Sequence, residues 1–232
     1  MNVIPQRVRD GFGKLIDPLA LVFIRLHVRP NLITTVGTLV VIASAVAFGV
    51  GGVRSGGLLL LLSGVFDLLD GRVARRADMT TAFGAFYDST LDRVGESALF
   101  GGIALYFLRG GVPPERLTLA VVACLVALAA SLIVSYTRAR AEGLGLTAQV
   151  GIAQRAERVL LLGVPTLFFG AGNRGVLLFW IVVVLALATS VTVVQRVLYV
   201  ARAAGEPSVR RPPRQRETLP GHAPALQSRK GP

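Results

Sequence analysis

Four aspartates, Asp67, Asp70, Asp88 and Asp92, stand in a stretch from Phe66 to Ala98 whose surroundings are apolar. Asp67 and Asp70 are three residues apart, and Asp88 and Asp92 four. On helices both spacings put a pair on one face, about a turn apart. A short turn around "RADMTT" (Arg76–Thr81) separates the pairs, so two neighbouring helices can bring all four carboxylates together. An aspartate at the centre of a membrane helix costs roughly 2.5–3.5 kcal/mol, so four without compensation cost about 10 kcal/mol. Pairing with Arg72, Arg75 or Arg93 is one remedy. Four oxygen ligands with no His or Cys among them also make a hard-cation site for Mg²⁺ or Mn²⁺, and two such ions balance four carboxylates. Gly71, Ala74 and Gly84 leave room beside the acidic face for a ligand, and Arg75 is placed to clamp an anionic oxygen.

The elements that must hold these residues are membrane helices. Of 232 residues, 53% are hydrophobic and 16% charged, with a mean hydropathy of +0.62, which places the chain in the membrane class. Six apolar segments, near 33–52, 56–76, 83–108, 117–141, 155–172 and 175–203, are separated by breaks such as "RGGVPPER" (Arg109–Arg116) and "GAGNRG" (Gly170–Gly175). Spanning the hydrocarbon takes about 20 residues. The fold expected is therefore an all-α integral membrane protein with six transmembrane helices. An interfacial amphipathic helix is expected at the N-terminus, where basic and apolar residues alternate without the pattern of a signal peptide.

Arg54, Arg109, Arg116 and Arg174 fall on the turns of one side. The N-terminal region, Arg72, Arg75, Arg76, Arg138, Arg140, Arg155, Arg158 and the tail fall on the other. The positive-inside rule makes that second side cytoplasmic, with both termini and the aspartates on it, in a multi-pass protein of the cell membrane. The membrane domain runs over 1–204. Residues 205–232, rich in Pro, Arg and Gln without apolar period, read as a disordered basic tail. The net charge of +12 points to anionic headgroups and phosphorylated substrates, and no basic fold motif points to nucleic acid. A single cysteine, Cys124, rules out an internal disulfide.

Written as a pattern, the stretch is Asp67-x-x-Asp70-Gly71-x-x-Ala74-Arg75, eight residues, then Gly84-x-x-x-Asp88-x-x-x-Asp92. It resembles the complete signature of the CDP-alcohol phosphotransferase family, and the six-segment layout extends that resemblance over residues 1–204. The resemblance implies a reaction in which an alcohol attacks the β-phosphorus of a CDP-linked lipid and CMP leaves. It implies that Asp67, Asp70 and Asp88 hold metal, and that Asp92 both lies near the metal and takes the hydroxyl proton. It also implies contact with the CDP moiety from Gly71, Ala74, Arg75, Thr81 and Gly84, and from "RPNL" (Arg29, Pro30, Asn31 and Leu32). Phosphoryl transfer needs positioning and charge neutralisation, which suits such a set.

The acceptor has to be read outside the signature. Arg138 and Arg140 in "SYTRARAEG", Arg155 and Arg158 in "QRAERVLLL", and Arg196 in "VVQRVLYV" would make a pocket for a phosphorylated alcohol if they converge. Their pattern resembles the phosphatidylinositol phosphate synthase branch, which joins CDP-diacylglycerol to inositol 1-phosphate. Arg138 here stands for the branch's lysine, Gln154 for its glutamate and Ala156 for its proline. Glycerol 3-phosphate carries the same anionic group, so positive charge alone leaves both acceptors open. A homodimer is expected from the family and from small-residue helix faces. A divalent-cation transporter would need a polar route to the opposite side, and "VVIASAVAFGV", "LFGGIALYFL" and "LLGVPTLFFG" carry no charged residue for one.

Overall fold

Several helices of this protein start at residues suited to a helix N-terminus. The computed structural model describes residues 17–146, 150–152 and 154–205. Among them are six long helices and no strand: α1 (Pro30–Gly49), α2 (Val53–Arg76), α3 (Ala82–Tyr106), α4 (Pro114–Glu142), α5 (Arg155–Phe169) and α6 (Val176–Gly205). Pro30 and Pro114 open α1 and α4 at positions where a missing N–H costs nothing. Thr81 caps α3 by accepting the Gly84 N–H at 2.9 Å. Gln154 and Glu157 close a capping box on α5, in which Glu157 accepts the Gln154 N–H at 2.8 Å. After α3 the chain runs through a π-helical turn, Phe107–Gly111, in which Gly110 has φ 89°.

The helices correspond to the six expected segments, with ends shifted by a few residues where Pro30 and Pro114 start them early. Helices α1, α4 and α6 are long and apolar enough to cross a membrane, with mean hydropathies of 2.1, 2.8 and 2.7 over an 18-residue stretch of each. The other three differ for a chemical reason. Helices α2 and α3 carry the four aspartates together with Arg72, Arg75, Arg76, Arg93 and Glu96, and α5 has only 15 residues with Arg155, Glu157 and Arg158 in its first turns. The helices that build the site are thus the less hydropathic ones. Residues 17–25 are also helical, and Ala20 packs with Ile33, Leu69 and Val73. Asp17 pairs with Arg72 and, at 2.7 Å, with Arg76. The remainder of the expected amphipathic helix and the basic tail lie outside the described residues.

The core is formed by Phe48, Leu60, Ile103, Phe107, Leu162, Leu178, Val182 and Leu185, all 0–1% exposed. Large apolar side chains such as Leu39, Leu125, Leu187 and Phe168 point outward at 59–66% exposure, as expected where the surrounding solvent is lipid. Helix α2 packs on α1 and α5, α1 on α2 and α3, and α4 on α3 and α6. The α2–α5 approach depends on Gly57, where a Cβ would stand 2.8 Å from the Leu167 nitrogen. That approach brings the first turn of α5 to the aspartates.

Candidate active site

The site lies where the C-terminal half of α2, the N-terminal half of α3 and the first turns of α1 and α5 meet. Asp67 and Asp70 come from α2, Asp88 and Asp92 from α3. The two pairs converge: Asp67 and Asp70 each feel the charge of Asp88, and Asp70 that of Asp67. Asp70 is buried and accepts a hydrogen bond from the Thr34 hydroxyl of α1 at 2.8 Å. Gly37, one turn further along α1, admits α2 closely, since a Cβ there would stand 3.0 Å from Phe66 Cβ and 3.9 Å from Asp67 Oδ1.

Arg155 is the cation between the pairs. Its Nη2 lies 2.9 Å from Asp67 Oδ2, and its Nη1 pairs with Asp92 Oδ1. Of the arginines expected to pair with the aspartates, Arg93 does so, with Nη2 3.5 Å from Asp92 Oδ2. Arg72 is engaged by Asp17 instead, and Arg75 folds back over Gly71, where a Cβ would stand 3.2 Å from Nη1. With Arg155 holding Asp67 and Asp92 and Thr34 holding Asp70, no three His, Cys, Asp or Glu side chains among the described residues are arranged to hold a metal ion. The donor chemistry still fits a divalent ion. These are carboxylate oxygens on facing helices, already gathered around a positive group.

The residues expected to meet a nucleotide border this centre. Arg29 is the extended residue preceding α1 and is exposed, with Pro30 at the first helical position and Leu32 facing outward. Asn31 reaches the α3 cap: a Cβ on Gly84 would stand 3.0 Å from Thr81 Oγ1 and 3.3 Å from Asn31 Oδ1. Ala74 lies between Gly71 and the end of α2, partly buried.

The five arginines expected around the acceptor fall into three groups. Arg138 and Arg140 are exposed at the end of α4, and Arg138 Nε lies 2.9 Å from Glu142 Oε1. Arg155 faces the aspartates. Arg158 and Arg196 are buried and already engaged. Arg158 pairs with Glu96 and donates to Ser131 Oγ at 2.6 Å. Arg196 donates to the carbonyls of Val134 and Val150, the latter at 2.8 Å. A cavity of about 30 Å³ lined by Glu96, Arg155, Arg158, Val41, Leu60 and Leu99 separates α3 from α5. Among the described residues these two helices make no backbone contact, so the arginines join them through side chains.

Reading the sequence missed Thr34, Glu96 and Ser131. Glu96 had a usable signal, because a carboxylate four residues after Asp92 in an apolar helix requires a partner. Thr34 and Ser131 carried none, since hydroxyls in membrane helices commonly bond to their own backbone.

Known proteins resemble this chain over most of its length. The family described as CDP-alcohol phosphatidyltransferase matches residues 27–194. Phosphatidylinositol phosphate synthase of Cutibacterium acnes is 38% identical over 206 residues, covering 85% of this chain and 98% of that one. The enzyme of the same name from Streptomyces avermitilis is 40% identical over 214 residues, covering 88% and 85%. Crystal structures of Mycobacterium tuberculosis phosphatidylinositol phosphate synthase are 31% identical and superpose with a TM-score of 0.70. One has CDP-DAG bound and covers 81% of this chain and 94% of that one; the other, in complex with manganese and citrate, covers 80% and 88%.

Proposed function

Because the chain belongs to the CDP-alcohol phosphatidyltransferase family, we propose that it transfers the phosphatidyl group of CDP-diacylglycerol to inositol 1-phosphate and releases CMP. The observation that carries this reading is the gathering of Asp67, Asp70, Asp88 and Asp92 on facing helices, with Arg155 reaching them from the first turn of α5. Similarity to synthases of this name supports the choice of acceptor, and a relative's structure with manganese supports a divalent ion.

The four aspartates would hold two Mg²⁺ or Mn²⁺ ions. Such ions neutralise the diphosphate and the charge that develops on the departing CMP oxygen. The chain's own residues do the rest. Arg29, Pro30, Asn31 and Leu32, with Gly71, Ala74, Arg75, Thr81 and Gly84, seat the nucleotide end of the lipid. Gly71 leaves its face open under the Arg75 guanidinium. Arg138, Arg140 and Arg155 orient the acceptor phosphate, while Arg158 and Arg196 brace the pocket from behind. The acceptor hydroxyl then attacks the β-phosphorus, the P–O bond to CMP breaks, and Asp92 takes the hydroxyl proton.

In this reading α1 to α6 each cross the bilayer. The site, both termini and the basic tail of 205–232 lie on the cytoplasmic side, behind an N-terminal interfacial helix, and two copies of the 1–204 domain associate as a homodimer. The gathering of arginines at the end of the bundle that holds the site supports this orientation. CMP release from liposomes containing CDP-diacylglycerol and the purified protein tests the function. Release is expected with inositol 1-phosphate and Mn²⁺ or Mg²⁺, and not after chelation. Release with glycerol 3-phosphate but not inositol 1-phosphate would reassign the acceptor.

A further inference from the structure

We infer that Arg155 is a resident counter-cation of the acidic site, which holds Asp67 and Asp92 until divalent metal displaces it and thereby sets the metal affinity of this protein. The inference rests on the metal-assisted reading above. Arg155 is the first residue of α5, and its guanidinium engages two other helices at once. Nη2 lies 2.9 Å from Asp67 Oδ2 on α2, and Nη1 pairs with Asp92 Oδ1 on α3. They belong to two of the four carboxylates that the hard-cation reading assigns to metal. A guanidinium fork fills the space between the carboxylates it bridges, so the same oxygens cannot face it and a divalent ion together. The Asp67 and Asp92 side chains are 27% and 17% exposed, so the contact is less screened than a surface pair.

The neighbouring charges identify Arg155 as the exchangeable cation. Arg93 touches Asp92 at 3.5 Å and turns its Nε toward Glu96 at 3.4 Å. One turn along α5 from Arg155, Arg158 is closed in by Glu96 and Ser131, with 9% of its side chain exposed. Helices α3 and α5 are therefore joined by two rungs. The inner one, Glu96–Arg158, is buried, and Ser131 takes a further hydrogen bond from its arginine. The outer one, Asp92–Arg155, has 27% of the arginine side chain in contact with solvent. The inner rung keeps α5 in place when Arg155 leaves its carboxylates. A freed guanidinium stays within side-chain reach of the site, where an anionic phosphate can replace the lost partner. Metal loading and readiness for a phosphorylated acceptor are then one exchange.

The test is Mn²⁺ titration of the full-length protein in detergent micelles after chelator treatment, with free Mn²⁺ read by electron paramagnetic resonance. Wild type, Arg155→Gln and Arg155→Lys are compared. Arg155→Gln is expected to bind Mn²⁺ about tenfold more tightly, the size of losing a charge-assisted competitor. Arg155→Lys should fall between the two, because a point charge cannot bridge both carboxylates. In chelator, Arg155→Gln should melt below wild type, and saturating Mn²⁺ should close the gap. Equal or weaker Mn²⁺ binding by Arg155→Gln overturns the inference. So does Arg155→Lys binding that matches wild type, which assigns the effect to charge without the bridge. If Arg155→Gln does not fold, Arg155→Lys alone decides on the same criterion. Wild-type protein that binds no Mn²⁺ overturns the metal-assisted reading itself.

Discussion

Glu96 and Arg158 form an ion pair inside the helical bundle, one turn from the contact between Asp92 and Arg155. Both side chains are about a tenth exposed, and Ser131 on α4 completes the arginine's hydrogen bonding. The Arg158 guanidinium thereby touches both α3 and α4 from α5. The burial of the pair makes it expensive to break and gives the active end of α5 a fixed base.

Replacing Glu96 by Gln should therefore cost about 3–5 kcal/mol, the usual cost of leaving one partner of a buried pair uncompensated. Thermal unfolding of the purified protein in detergent measures this. Glu142→Gln is the control, because it removes the partner of exposed Arg138 and should change stability by less than about 1 kcal/mol. Equal effects of the two substitutions would mean that water reaches the inner pair.

Thr34→Val removes the hydroxyl that holds Asp70 at 2.8 Å while keeping the side chain's shape. Supporting hydrogen bonds of this kind typically contribute 10- to 100-fold to metal affinity or activity. The midpoint of a Mn²⁺ titration of CMP release should rise by about tenfold, at the low end of that range. A midpoint identical to wild type would show that Asp70 is oriented without Thr34.

Asp92→Asn keeps the size of the side chain and removes its basicity. A positioned general base typically contributes 10²- to 10⁴-fold, so turnover should fall by at least about a hundredfold. Binding of CDP-diacylglycerol, measured separately by filter or calorimetric assay, should change little. Turnover close to wild type would remove Asp92 from the proton transfer.

Arg196→Ala frees the carbonyls of Val134 and Val150, which tie the segment before α5 to α4 and α6. Charged hydrogen bonds of this type are worth about 1.5–3 kcal/mol, so the KM for the phosphorylated acceptor should rise about tenfold or more. The KM for CDP-diacylglycerol should stay within about twofold, because the proposed lipid contacts lie on and beside α1, α2 and α3. A parallel rise in both constants would point to general loosening of the bundle.

Much of the fold was legible because the controlling physics is local. Apolar run length gave the six helices, and the glycine-containing breaks around 110 and 170–175 marked ends within a few residues, while Pro30 and Pro114 start α1 and α4 ahead of the apolar runs. The three less hydropathic helices are the ones whose charges the site uses, so the residues that weakened their membrane signal also disclosed their purpose. The partners of those charges were harder to read. Arg72 lies near the aspartates in sequence yet pairs with Asp17, while Arg155, more than sixty residues from Asp92, closes the site.

By itself the sequence determined that Asp67 and Asp70, and Asp88 and Asp92, share helix faces, because helical periodicity depends only on spacing along the chain. It determined equally that the acidic set needs cations and that several arginines are available for it. Only the tertiary structure decided which arginine serves which carboxylate. That choice depends on the glycine-lined approach of α2 to α5 and on the gap between α3 and α5, across which only long side chains reach. Arg155 and Arg158 sit three residues apart on one helix and look equivalent in sequence. Burial separates them, placing one at the open end between Asp67 and Asp92 and the other against Glu96 in the interior.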